Sequence, residues 1–282
     1  MFKANHSTQS QPDRDLAGLT IDPDCTSQKV VARLERDGVV SMPGYFNPEL
    51  LPDLREDARR LLAKNSLGTV ERDYHCGQSV AVDRSLWDPA QYRALASAVD
   101  TPHMRAVAAG FLGPRHHFNH HFFVTKETVA ELPITGLHFD RLPTLKFFIY
   151  LFDTDKASGA LECIPGSHRM VREIRRYHLQ RGVRIVDLPN FCAPASLGDP
   201  VAMEGIAGTM IVFTTDVFHR GGVVAKGRQR WVVRGHTRLD PLPAYKPRSF
   251  FSAQWWRESP MNPKRYWYKA ADGILGRTPP HF

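Results

Sequence analysis

A series of short β-like segments in the second part of the chain most constrains its fold. From residue 115 onward, apolar and β-branched runs follow one another with Gly and Pro between them. These runs cover residues 117–125, 136–140, 145–152, 160–164, 209–214, 217–224 and 230–236. Such a series is typical of an antiparallel sandwich or jelly roll and does not fit alternating βαβ units.

The residues before this series carry helix signals instead. The expected elements are a helix over 27–37 capped by Thr26 or Ser27 and ended by Gly38, a strand over 39–42, a second helix over 48–65, an irregular segment over 66–89 and one or two further helices over 89–112. We therefore predict an α+β protein with a mainly β core. Its architecture would be a double-stranded β-helix (jelly roll, cupin-like) with N-terminal helices packed on it.

The domain organisation follows from the same pattern. Residues 1–20 are expected to be a flexible tail, and residues 21–282 a single domain. Within it we expect a helical part at about 21–114, a jelly-roll core at about 115–238 and a wrapping C-terminal tail at 239–282. The core would contain one helix, at 169–181.

Composition excludes several classes of protein. No run approaches eighteen uninterrupted apolar residues, and the polar N-terminus lacks the apolar core of a signal peptide. The four cysteines form no Cys-x-x-Cys pair, which argues against a zinc ribbon and against a secreted disulfide framework. These observations predict a cytoplasmic protein without a membrane segment. Nothing in the sequence indicates an oligomeric state.

The net charge is +8, and much of the basic excess lies in residues 169–184. A solvated helix face explains this charge most simply. Attraction of an acidic substrate, such as a carboxylate, a phosphate or an acyl-CoA, is the second reading. No aromatic-basic alternation or nucleic-acid motif accompanies the charge, which argues against a nucleic-acid partner.

The segment His138-Phe139-Asp140 carries the strongest chemical signal. In an extended strand the side chains of His138 and Asp140 point to one face, with Cα atoms about 6–7 Å apart. An imidazole and a carboxylate in this arrangement can chelate one cation, and a third ligand must then come from elsewhere. The best candidate is His219, which follows a second β-like run. Two histidines and one carboxylate on one face of a metal are the pattern of non-haem Fe(II) oxygenases.

Three groups of residues together resemble the phytanoyl-CoA dioxygenase family of Fe(II)/2-oxoglutarate oxygenases. They are His138-Phe139-Asp140, the segment 159–168 with its Pro165-Gly166-Ser167-His168 run, and the pair His219 and Arg230. The resemblance implies that His138, Asp140 and His219 bind Fe(II) and that Arg230 binds the distal carboxylate of 2-oxoglutarate. It also implies oxidation, in most cases hydroxylation, of an unactivated C–H bond by O2, with release of succinate and CO2.

The physical case for Arg230 is independent of the resemblance. A guanidinium binds a carboxylate through two parallel hydrogen bonds. Arg228 is its rival, since it lies two residues away on the same face of an ideal strand. Many family members carry Ser or Thr two residues after the distal histidine, and here that position is Gly221. Asp140 stands where halogenating relatives carry a small residue, which argues against halogenation.

Other polar residues have weaker functional readings. Lys126 could reach the near carboxylate of the co-substrate, although a solvated lysine is the simpler reading. Arg141 and His121 are candidate substrate contacts. His168 is expected to brace its loop. The histidines between residues 116 and 121 are expected to be ordinary strand residues, some of which could line the substrate pocket.

The sequence therefore predicts an enzyme acting on a small-molecule substrate, acidic or acyl in character. Two alternatives remain at this point. One is a cupin-like metalloenzyme that does not use 2-oxoglutarate and would not need Arg230. The other is a non-catalytic binding module on the same fold. The substrate, the position oxidised, and the choice between hydroxylation, desaturation, epimerisation and cyclisation are not encoded in any motif found.

Overall fold

The computed structural model describes residues 15–63, 70–74, 77–119, 121–128, 136–180, 183, 193 and 197–239. The chain divides into two units, Met1–Pro243 and Ala244–Phe282, and every described residue lies in the first. The tail predicted at 239–282 therefore lies almost wholly outside the described residues. In the part that is described, no helix has the length and apolar character needed to cross a membrane.

Six α-helices and one short 3-10 helix occur in the described ranges. They are α1 Leu16–Leu19, α2 Ser27–Asp37, the 3-10 helix Pro48–Leu50, α3 Leu51–Ala63, α4 Arg93–Ala98, α5 Pro102–Leu112 and α6 His168–Gln180. Their ends follow from local chemistry. Gly38 closes α2 with φ at 77°, and the hydroxyl of Thr101 accepts a hydrogen bond from the first turn of α5.

The strands form two antiparallel sheets. They are β1 Val39–Met42, β2 Val70–Tyr74, β3 Gly77–Asp83, β4 His116–Phe118, β5 His121–Glu127, β6 Thr144–Tyr150, β7 Leu161–Cys163, β8 Val201–Met203, β9 Met210–Thr214, β10 His219–Gly221 and β11 Arg230–Leu239. The large sheet has the order β1-β9-β6-β11-β5-β3-β2, with β4 also paired to β11, and the small sheet has the order β10-β7-β8.

Strand β6 shows how the layers are built. Its residues Leu145, Phe147 and Ile149 pack in the apolar core that the large sheet shares with α2 to α5. On the other face of β6, Phe148 and Tyr150 join a second core, to which both sheets contribute. A strand covered on both faces reads as a nearly continuous apolar run, which is why this segment stands out in the sequence. The fold is the predicted jelly roll with N-terminal helices packed on it.

Some sequence-based boundaries were wrong. The segment 66–89, expected to be irregular, contains β2 and β3. Segment 117–125 is two strands, β4 and β5, and β8 was not predicted. Residues 136–140 are not a strand but a loop with a single bridge at His138. Of the predicted tail at 1–20, residues 1–14 lie outside the described residues, and Leu16–Leu19 form the short helix α1 with Asp15 as its cap.

Candidate metal centre

The main chain brings the two candidate histidines to directly opposite positions. His138 and His219 form an isolated antiparallel bridge, in which each N–H donates to the other residue's carbonyl, at 3.1 and 2.8 Å. Their rings lie with centroids 4.7 Å apart. His219 is the first residue of β10, so the small sheet fixes one side of this bridge. A bridge of two main-chain bonds thus holds together side chains that are far apart along the chain.

Asp140 completes the group from the same loop as His138. Its N–H donates to the carbonyl of Thr215 at 3.1 Å, which ties the loop to the turn before β10. Its Oδ1 lies 3.5 Å from Nε2 of His138 and 3.7 Å from Nε2 of His219. One ligand atom from each of the three residues lies within 4.8 Å of the others. The structure therefore brings together the three residues that the sequence selected.

Hydrogen bonds at the far side of each ring fix which nitrogen faces the centre. Nδ1 of His138 lies 2.8 Å from the carbonyl oxygen of Gly136, and Nδ1 of His219 lies 2.8 Å from that of Val217. A carbonyl oxygen only accepts, so both Nδ1 atoms carry the proton. Each Nε2 then presents a lone pair towards Asp140. Such outer hydrogen bonds are the usual means of orienting metal-binding histidines.

The electrostatic environment keeps two of the three candidate ligands, His219 and Asp140, deprotonated. Burial lowers the pKa of His219 to about 3. Burial by itself raises the pKa of Asp140, but nearby Lys146 and the two histidines outweigh it and hold that pKa well below its ordinary value. A neutral imidazole and an ionised carboxylate are the forms that bind a divalent metal. Around neutral pH, His219 and Asp140 therefore need to lose no proton before they bind a divalent metal.

Lys146 is a site residue that the sequence analysis missed. It lies on β6 on the same face as Phe148 and Tyr150, and its Nζ is 2.7 Å from Oδ2 of Asp140. The lysine thus holds the carboxylate oxygen that does not face the histidines. A signal was present in the sequence, because Lys146 is the only charged residue of an otherwise apolar run. Strand alternation alone puts it on the inward face.

Arg175 is a second missed residue, and it links both ligand-bearing segments to α6. Its Nε donates to Oδ1 of Asp216 at 2.8 Å, and its two terminal nitrogens donate to the carbonyls of Asp140 and Arg141. Asp216 lies three residues before His219. The sequence predicts a solvated face or an attraction of anions for the basic segment over 169–184. The side chain of Arg175 is instead buried at 6% exposure and holds the loop.

The Pro-Gly-Ser-His run has a bracing function, as the sequence predicted for His168. The hydroxyl of Ser167 accepts a hydrogen bond from the N–H of Phe218 at 2.9 Å, next to His219. His168 is fully buried, with Nε2 3.1 Å from the carbonyl oxygen of Glu35 in α2. The run therefore locks the start of α6 between α2 and β10.

Arg230, the predicted partner of the co-substrate, is the first residue of β11 and is buried. Its Nε lies 2.6 Å from Oε2 of Glu127 on β5, which also contacts Nη2, and its Nη1 donates to the carbonyl of Gly159. The guanidinium thus already has an internal carboxylate partner. No sequence motif marks Glu127.

The structure places the two other candidates for co-substrate binding, Arg228 and Lys126, off the inward face that carries Arg230. Arg228 is half exposed and pairs with the surface residue Asp155, because it precedes β11 and does not share the inward face of Arg230. Lys126 lies on the outer face of β5, opposite to Thr125 and Glu127. Its Nζ is 5.2 Å from the ring centroid of Trp231, a residue of the core beside the helices.

The two candidate substrate contacts have different settings. His121 lies at the start of β5, with Nε2 3.6 Å from Oδ2 of Asp83 and an exposed fraction of 44%. By alternation it shares the inward face of Phe123, so it stays a candidate for the pocket rim. Arg141 is half buried, and its carbonyl accepts a bond from Arg175. Of the other nearby histidines, His116 lies 2.9 Å from the carbonyl of Gly113, and His120 lies outside the described residues.

Comparison with protein families gives one match. The family model described as Phytanoyl-CoA dioxygenase (PhyH) matches residues 34–230, well over half of the chain. This range includes His138, Asp140 and His219 and ends at Arg230. A search of curated proteins finds no match.

Two solved structures with the same fold match this chain at low sequence identity. One is the epimerase SnoN in complex with Fe3+, alpha ketoglutarate and nogalamycin RO; it is 20% identical, with a TM-score of 0.55, and the match covers 75% of this chain and 83% of that one. The other is AviO1 from Streptomyces viridochromogenes Tue57, which is 20% identical with a TM-score of 0.53, over 77% and 96% of the two chains. At this identity the likeness establishes the fold.

Proposed function

Because the chain belongs to the phytanoyl-CoA dioxygenase family, we propose that it is an Fe(II)/2-oxoglutarate-dependent dioxygenase whose iron is held by His138, Asp140 and His219. The family gives the general activity, an oxygenase that uses iron, 2-oxoglutarate and O2. Our finer proposal is that it hydroxylates an unactivated C–H bond of a small-molecule substrate. The single observation that supports the metal assignment best is the convergence of two Nε2 lone pairs on one carboxylate oxygen.

The donor set fits ferrous iron. Two neutral imidazoles and one carboxylate occupy one face of the metal and leave positions on the other face for ligands. When bound, the iron and its 2-oxo acid supply the oxidising chemistry, with O2 as oxidant and succinate and CO2 as products. No side chain of the protein then needs to act as a nucleophile.

The protein's own residues would hold and shield this centre. Lys146 binds Oδ2 of Asp140, so only Oδ1 faces the metal position, and the carboxylate is disposed to coordinate through one oxygen. One-oxygen coordination leaves more positions open for the co-substrate. Phe213, whose ring centroid lies 5.0 Å from that of His219, contributes an apolar wall that limits water access. Arg230 would bind the distal carboxylate of 2-oxoglutarate, as the resemblance implies.

The substrate class is a proposal that rests on charge and family. A net charge of +8 favours an acidic substrate, and the name of the family points to acyl groups. His121 and Arg141 are candidate contacts to it. SnoN is an epimerase, so diversion of the same chemistry to epimerisation is an outcome that product analysis must distinguish from hydroxylation.

A second candidate function is favoured by one contact. Glu127 already occupies the guanidinium that would bind 2-oxoglutarate. A metalloenzyme on this fold that does not use 2-oxoglutarate would need no carboxylate at that position. The two candidates differ in whether succinate forms.

The experiment is to load the protein with Fe(II), add 2-oxoglutarate and O2, and measure succinate together with bound iron. We expect substrate-independent succinate formation above a metal-free control. His219→Ala should lose most of the iron and the turnover, whereas His178→Ala, a histidine at the end of α6, should keep both. Equal iron content in the two variants would contradict the proposed ligand set. Iron binding without any succinate would favour the second candidate.

A further inference from the structure

The guanidinium of Arg230 is enclosed by groups of the protein itself. Arg230 stands opposite Glu127 in the register of β11 and β5, and both residues are buried. Nε and Nη2 of the arginine contact Oε2 of Glu127, and Nη1 donates to the carbonyl of Gly159. A carboxylate partner on the Nε–Nη2 edge neutralises the positive charge inside the jelly roll. A second carboxylate that approaches this arginine therefore meets an ion pair and not a net cation.

Gly221 fixes the place of the guanidinium on its other side. A Cβ atom at residue 221 would lie 2.6 Å from Nη2 of Arg230, closer than any real contact. The arginine thus fills the space that a side chain at residue 221 would need. As a glycine, residue 221 supplies no hydroxyl to share the charge of a bound carboxylate.

The neighbouring hydroxyl is also committed. Tyr150 lies fully buried on β6, donates to the carbonyl of Met203 at 3.0 Å and accepts from the N–H of Leu161 at 2.9 Å. Burial raises the pKa of this phenol, so it stays neutral. Tyr150 therefore has no O–H left to donate to an anion bound at Arg230, whose charge Glu127 balances.

We propose that Glu127 sets the selectivity of the co-substrate site. The charge of Glu127 reduces the preference of this site for a 2-oxo acid with a distal carboxylate over a 2-oxo acid of equal length with an uncharged end. This inference rests on the proposed function. A like charge a few ångströms away in a buried site costs enough to change binding by about tenfold or more. The near carboxylate and keto oxygen, which would bind at the metal, are common to both kinds of acid and are unaffected.

The test compares 2-oxoglutarate with 2-oxopentanoate, whose five-carbon chain ends in a methyl group. Both are titrated under anaerobic conditions into the Fe(II)-loaded wild type, Glu127→Gln and the control Glu173→Gln. Glutamine keeps the size of the side chain and an acceptor oxygen for Nε of Arg230 but removes the charge. Glu173→Gln alters an exposed carboxylate–arginine pair with Arg176 on α6 and should change neither affinity.

We expect Glu127→Gln to bind 2-oxoglutarate about tenfold tighter or more, with the affinity for 2-oxopentanoate within about threefold of wild type. Weaker binding of 2-oxoglutarate, or an equal shift of both acids, would overturn the inference and make Glu127 a residue that merely orients Arg230. If the metal-loaded proteins bind neither acid, the proposed function itself fails. Failure of the Glu127 inference is therefore distinguishable from failure of the proposed function, because in the first case the acids still bind.

The wild type alone provides a second measurement, should the variant not fold. Because the ion pair is already present, wild-type protein should prefer 2-oxoglutarate over 2-oxopentanoate by no more than about tenfold. A preference above about a hundredfold would overturn the inference without any variant. Thermal unfolding of Glu127→Gln shows whether its titration reports on a folded protein.

Discussion

Replacement of Arg175 tests how the two ligand-bearing segments are held. This buried guanidinium donates to the carboxylate of Asp216 and to the carbonyls of Asp140 and Arg141, and its Cζ lies 5.2 Å from the ring centroid of Phe139. It therefore joins α6 to the loop that carries His138 and Asp140 and to the turn before His219. Arg175→Ala removes all of these contacts at once.

The expected cost follows from burial. Loss of one partner of a buried ion pair costs about 3–5 kcal/mol, because the other charge stays behind without water. Here Arg172 remains near Asp216, with its Nε 3.7 Å from Oδ2. Because Arg172 can still pair with Asp216, we expect the free energy of unfolding to fall by about 3 kcal/mol, the lower end of that range. Arg175→Lys keeps the charge but not the planar fork, so a smaller loss is expected.

Urea unfolding of the metal-free protein measures this loss, and titration with Mn(II) measures the site. The matched control is Arg176→Ala, which removes an exposed pair with Glu173 from the same helix and should cost less than about 1 kcal/mol. We expect Mn(II) affinity to fall by about tenfold in Arg175→Ala and to stay unchanged in the control. If the two variants lost equal stability and kept equal metal affinity, the reasoning would be refuted.

Three further predictions concern single contacts. Lys146→Met should tighten Mn(II) binding several-fold, because a cation no longer repels the metal. It should also weaken 2-oxoglutarate binding, because Asp140 gains freedom to coordinate through both oxygens. Calorimetric titration that finds the metal affinity unchanged would count against this prediction. Gly38→Ala should lower the free energy of unfolding by about 2 kcal/mol or more, because φ is 77° and the new Cβ would lie 2.6 Å from Nδ1 of His168. The control Gly44→Ala, with φ at 67° and open space around it, should lower it by only about 1 kcal/mol. Denaturant unfolding of both variants measures the difference. Burial lowers the pKa values of His219 and His168 below 6.5, so below that pH the unfolded chain binds more protons than the folded protein. The free energy of unfolding of the metal-free protein should therefore fall as pH decreases from about 6.5 towards 5, by up to about 1.4 kcal/mol per pH unit for each group. A flat dependence of this free energy on pH would contradict the prediction.

The predictions from sequence succeeded where the signal was local. Helix α2 runs from Ser27 to Asp37 as its cap and Gly38 indicate, and α4 and α5 are separated at Thr101-Pro102. They failed where the pattern was weak. Strand β3 buries Val80 and Val82 against the helices, but its inward residues are small and polar, so it does not read as an apolar run. Strand β8 has only three residues and depends on β7 for its pairing.

The amino-acid sequence by itself determined the chemistry of the candidate ligands and the kind of fold that presents them. These are local patterns in the sequence: a histidine and an aspartate two residues apart, a second histidine after another β-like run, and the alternation of side chains within strands. Only the tertiary structure decided which charges face one another inside the jelly roll. Glu127 and Arg230 are 103 residues apart, and Lys146 on β6 reaches Asp140 in the loop before that strand. Such pairs depend on strand register, in which a shift of one residue sends every side chain to the opposite face.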